Sequence, residues 1–142
     1  MTKLKPQKID FAQIGQYLAG AEKKLAAAEK LLAIDEEAAY QVAYEAMLKA
    51  SLGFMLSFGV RPRSQPGHHI VVIEFVGQKL GPAHKGLADL FDRMRRKRNQ
   101  SLYDAAAIIS EQEATQALAA AKEWIAAIRR EIRKVHPGTK SS

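Results

Sequence analysis

The sequence predicts an all-α fold, an up-and-down bundle of about five helices. Three observations carry that expectation. Apolar residues recur three and four positions apart over long stretches, clusters of turn-forming residues separate those stretches, and the one run rich in β-branched residues has no second strand to pair with. At 142 residues without a cysteine, the chain suits one domain that buries its own core with no disulfide framework and no thiolate chemistry.

The first helix is read from Phe11, Ile14, Leu18, Ala21, Leu25, Ala28 and Leu32, a single narrow apolar seam, with Asp10 and Gln13 spaced as a capping box. Asp35-Glu36-Glu37 then places carboxylates at the positive end of a second helix running to about Phe58. Its later half is apolar nearly all round, from Ala46 to Phe58, so it must be covered on several sides, either at the centre of the bundle or in a subunit interface. Gly59 ends it, and Arg61 to Gly67 reads as a loop. Residues 68–80 are β-branched enough for a strand, but Ile73, Val76 and Leu80 keep helical spacing, and a third helix is expected. Gly81-Pro82 closes it. A fourth helix is expected from about His84 to Ile108, with Leu87, Leu90, Phe91, Met94, Leu102, Ala105 and Ile109 inward. Ser110 and Glu113 form a capping box for a fifth, whose seam is Leu118, Ala121, Ile125, Ile128, Ile132 and Val135. The expected organisation is an N-terminal extension at 1–9, a helical domain at 10–136 and a disordered tail at 137–142.

The net charge of +7 is local rather than diffuse. Arg93, Arg95, Arg96, Lys97 and Arg98 supply +5, the segment 129–140 supplies +4, and the remaining residues together carry −2. Such a patch points to an anionic partner, nucleic acid ahead of membrane lipid, with a solvated helix face as the plain alternative. No apolar run is long enough to span a bilayer and the N-terminus lacks the apolar core of a signal peptide, so a cytoplasmic protein is expected. On an ideal helix Met94, Arg98, Ser101, Leu102 and Ala105 share one side, which sets Arg98 inside an apolar stripe.

Arg98-Asn99-x-x-x-Tyr103-Asp104, with the apolar helix before the loop and the Gly67-His68-His69 opening of the third helix, resembles the HEPN domain family over about residues 10–134. The resemblance implies a small helical domain that binds RNA, many relatives being metal-independent ribonucleases or toxins of toxin–antitoxin pairs. Carried onto this chain, Arg98 matches the family arginine and Asn99 the asparagine that often follows it, while the family histidine falls on Tyr103. A tyrosine offers roughly 3,000-fold less of its deprotonated form than a histidine does, so the resemblance implies weakened cleavage in which Arg98 stabilises charge on phosphorus and Asn99 and Tyr103 orient it. The exposed cations Arg93, Arg95, Arg96 and Lys97 would follow an RNA backbone.

Residues five apart on a helix differ by about 140° in direction, so Arg98 and Tyr103 of one chain do not share a face. A homodimer would complete the site across a twofold axis, as the resemblance also implies; the alternative is an internal ion pair of Arg98 with Glu45 or Glu74. A non-catalytic module that binds nucleotide or RNA, or partners a nucleotidyltransferase or another toxin-system protein, is the rival function. His68 and His69, being adjacent, are expected on different faces, and His84 and His136 in surface or capping roles. No metal site and no cofactor is expected.

Overall fold

The computed structural model describes residues 3–137. Five helices form the domain: α1 (Phe11–Leu31), α2 (Glu36–Ser57), α3 (His68–Leu80), α4 (Lys85–Tyr103) and α5 (Glu111–Val135). Two short strands, β1 (Leu4–Pro6) and β2 (Val60–Pro62), pair antiparallel with Leu4 opposite Pro62 and Pro6 opposite Val60. The all-α bundle is therefore as expected, and the strand pair is the addition to it. It takes residues 4–6 of the N-terminal extension and the first two residues of the expected loop at 61–67. The expected tail lies, beyond Pro137, outside the described residues.

The helix starts follow from side chains that take up orphan backbone donors. Asp10 accepts from the Gln13 N–H and Asp35 from the Ala38 N–H, each at 3.2 Å. Ser110 and Glu113 make the full reciprocal box, both bonds being 3.0 Å. At the end of α2 the chain turns on Gly59, whose φ of +74° a side chain would strain.

α2 is the central element, packing on all four other helices. That settles the choice left open by its apolar circumference: Ala46, Met47, Ala50, Phe54, Met55 and Leu56 are buried within one chain. α1 lies close along it, because Gly53 has no side chain; a Cβ there would stand 2.9 Å from the Tyr17 Cβ. The opposite side meets α5, where Trp124 is fully buried and its Nε1–H donates to Ser51 Oγ at 2.8 Å. The Ser51 hydroxyl in turn donates to the Met47 carbonyl at 2.7 Å, so every polar atom of that pair is satisfied inside the core.

The β-branched segment is helical because Val72, Ile73 and Val76 all face the core at helical spacing, and their burial outweighs a weak local preference for strand. Three expectations are corrected. α4 ends at Tyr103, not near Ile108, since the Asp104 side chain accepts from the Ala106 N–H at 2.9 Å and draws the backbone into a turn. Leu102, expected inward, is 50% exposed, and Ala105 lies exposed in that turn, although Ile109 is buried. Val135, at the end of the α5 seam, is also exposed.

Candidate functional site

α4 changes character along its length. Phe91 and Met94 are fully buried against the core, Arg98 one turn on is half-buried, and Leu102 a further turn on stands in solvent. The apolar stripe thus rises out of the bundle, with Arg98 at the point of emergence. Its guanidinium lies over the Tyr44 ring, 5.3 Å from the centroid, a cation–π contact with α2. Its Nε is buried and has no hydrogen-bond partner. Neither expected carboxylate reaches it: Glu45 pairs with Lys24 at 3.1 Å, Glu74 is exposed, and among the described residues Arg98 makes no ion pair.

Tyr44 connects this arginine to the start of α3. Its hydroxyl is 2.9 Å from His69 Nδ1, and burial pushes the phenol up to about 12, so it stays protonated. His69 is shifted the other way. Burial, and then the positive field of His68, Arg98 and Arg95, lowers its pKa and favours the neutral ring. His68 packs edge-on against His69 with centroids 4.5 Å apart, so the adjacent rings touch instead of diverging as expected for an ideal helix. Its Nδ1 is 3.0 Å from the Gln65 carbonyl.

The two histidines border a cleft of about 430 Å³ between the loop ahead of α3 and the outer face of α4, lined by Ser64, Gln65, His68, His69, Arg95 and Asn99 among others, while Tyr44 and Arg98 stand behind His69 and do not line it. The structure thus brings together Arg95, Arg98 and Asn99 with two histidines and a tyrosine from other helices. It does not bring Tyr103 to them: that side chain is 89% exposed at the last residue of α4. Tyr44, His68 and His69 are members that sequence reasoning did not assign. The paired histidines were visible as letters, but their approach to α4 and to a tyrosine 25 residues away is tertiary.

The basic patch is partly neutralised. Arg95 pairs with Asp92 at 3.0 Å, Arg96 with the same carboxylate at 3.8 Å, and Lys97 with Glu113 at 3.6 Å. Arg93 is exposed and, among the described residues, has no ion pair. Each bonded cation keeps donors to spare, since a guanidinium has five and an ammonium three. His84 and His136 occupy helix ends as expected; His136 Nε2 is 2.9 Å from the Ser57 carbonyl and fastens the end of α5 to the end of α2. Among the described residues no group of three His, Asp or Glu side chains could hold a metal ion.

A family model for the HEPN domain matches residues 14–131. The chain belongs to the HEPN domain family. Arg98, Asn99 and Tyr103 all fall inside the matched span, as does the whole of the Tyr44–His69 connection. No curated protein matches the chain. HEPN domains are associated with nucleotide and RNA chemistry, often as ribonucleases or toxin components, and they often dimerise. Among the described residues of this HEPN domain no helix is long and apolar enough to cross a membrane.

Proposed function

We propose that this HEPN domain binds RNA at Arg98 as a cytoplasmic homodimer and cleaves it slowly without a metal, in the manner of a toxin–antitoxin ribonuclease. The observation that carries the reading is the half-buried guanidinium of Arg98, which among the described residues has no carboxylate partner and an unsatisfied Nε, in a chain that matches the family. A buried donor left without an acceptor disfavours the free state by about 1–3 kcal/mol, a penalty that a phosphate oxygen removes. Asn99 and the flanking cations extend the donor surface, and Arg93, Arg95, Arg96 and Lys97 hold the strand. Leu102 and Ile108, 50% and 76% exposed, give the end of α4 and the segment that follows it an apolar surface suited to a second protomer. Across such an interface Tyr103 of one protomer orients phosphate beside Arg98 of the other.

The test is incubation of the purified protein with a mixed RNA pool in EDTA beside Arg98→Ala. Metal-independent cleavage that the variant loses is the expected result; wild-type protein that leaves RNA intact at high concentration removes the enzyme. A second reading has its own support. Tyr103 lies apart from Arg98 within the chain and is almost fully exposed, which suits a non-catalytic module that binds nucleotide or RNA and presents that surface to a nucleotidyltransferase or another toxin-system protein. RNA retained without cleavage decides for it.

A further inference from the structure

We infer that the histidine missing from the α4 motif is replaced in space by His68, which takes the proton from the attacking ribose hydroxyl, while His69 beside it donates a hydrogen bond to the phosphate. The inference rests on the RNA reading above for its substrate and adds the group that handles the proton.

A carbonyl oxygen can only accept, so the 3.0 Å contact with Gln65 requires the hydrogen of His68 on Nδ1. In the neutral ring Nε2 then carries a lone pair, the form a general base needs. For His69 the partner is a phenol, which donates more readily than it accepts. With Tyr44 donating to Nδ1 at 2.9 Å, the hydrogen of His69 sits on Nε2. Two adjacent rings are therefore set in opposite tautomers, one ready to accept a proton and one to donate a hydrogen bond. Both line the cleft that Arg95 and Asn99 line from α4, and the positive field of Arg98 and Arg95, which adds to burial and to His68 in lowering the pKa of His69, also favours an anion there. The residues that line the cleft include no carboxylate, and Asp92 outside it is paired with Arg95 and Arg96.

The reaction balances without a further reactant. The ribose 2′-oxygen loses its proton to His68 Nε2 and forms a bond to phosphorus, the bond from phosphorus to the 5′-oxygen breaks, and that oxygen takes a proton from water. The products are a 2′,3′-cyclic phosphate and a 5′-hydroxyl, and His68 returns its proton to solvent. His69 Nε2–H supplies a hydrogen bond to the charge that builds on the non-bridging oxygens, and Arg98 behind it adds positive field.

Single-turnover cleavage of a short oligoribonucleotide in EDTA tests this, with His68→Gln, His69→Gln and Tyr44→Phe compared with wild type. Expected are a loss of at least a hundredfold in rate for His68→Gln with RNA affinity kept within about threefold, and for Tyr44→Phe, whose ring still supports Arg98, a weaker loss of about tenfold. Long-range correlation of the imidazole nitrogens in the wild-type protein supplies a readout independent of rate, with His68 expected as Nδ1–H and His69 as Nε2–H. Cleavage that persists in His68→Gln overturns the inference even if Arg98→Ala is inactive and the RNA reading stands. So does a His68 ring protonated on Nε2. If wild-type protein binds RNA and never cleaves it, this assignment falls while the binding module survives.

Discussion

Arg98 combines features that serve folding poorly. A guanidinium that emerges from an apolar stripe, stacked on Tyr44 with its Nε buried and unbonded, contributes a cation–π contact and retains an unsatisfied donor. Arg98→Met keeps the stacked volume and removes the orphan, so the variant should melt no lower than wild type, and RNA affinity should fall about tenfold or more; a variant that melts many degrees lower would mean that the arginine holds the fold together. His69 gives a pH dependence with a definite sign. Its folded pKa lies below the unfolded value of 6.5, so the unfolded chain binds the extra proton first. The stability that His69 contributes is complete above about 6.5 and is lost as pH falls through the folded pKa. Melting temperatures of wild type and His69→Gln between pH 7.5 and 5 should therefore converge toward acid. Arg98 was legible from helical phase alone, because an arginine in line with Met94 and Leu102 breaks a pattern. Tyr44 was not, because a tyrosine on an apolar helix is read as core packing until the histidine opposite its hydroxyl is known.

At the level of elements, α2 and α5 are held in register by a polar contact inside an apolar layer. Ser51→Ala leaves the Trp124 N–H buried without an acceptor and should cost about 1–3 kcal/mol, read from chemical denaturation, whereas a loss under half of that would show that the indole finds another partner. The five helices were legible because seams and caps agree: Ser110 and Glu113 form the box that their spacing announces, and Ile125, Ile128 and Ile132 are buried where the periodicity puts them. The end of α4 was not legible. Alanines at 105–107 favour helix in isolation, and the competing bond from the Ala106 N–H to the Asp104 carboxylate is a local alternative that a seam pattern does not register. The strand pair escaped notice for a different reason, since three residues at each position are too short to show alternation.

Across the whole molecule the positive charge is concentrated yet partly spent internally, because Asp92 and Glu113 each hold part of the patch. RNA binding should show a log–log salt slope of about −2 to −3, the value for three or four phosphate contacts on a single strand, and not the steeper slope of a fully free patch. Asp92→Asn, which releases Arg95 and Arg96 together, should tighten binding and steepen that slope; an unchanged slope would place the strand elsewhere.

The pairing of β1 with β2 reaches beyond the extension it anchors. It is reinforced at both ends, where Gln7 N–H donates to the Gly59 carbonyl at 2.9 Å and Arg63 N–H to the Lys3 carbonyl at 3.1 Å. Directly downstream of that fastening run Ser64, Gln65, Pro66 and Gly67, whose positions set where the Gln65 carbonyl meets His68. Residues 3–7 therefore act as a splint for the rim of the cleft, and a protein trimmed or fused there for convenience would keep its helices while its histidines lost their alignment.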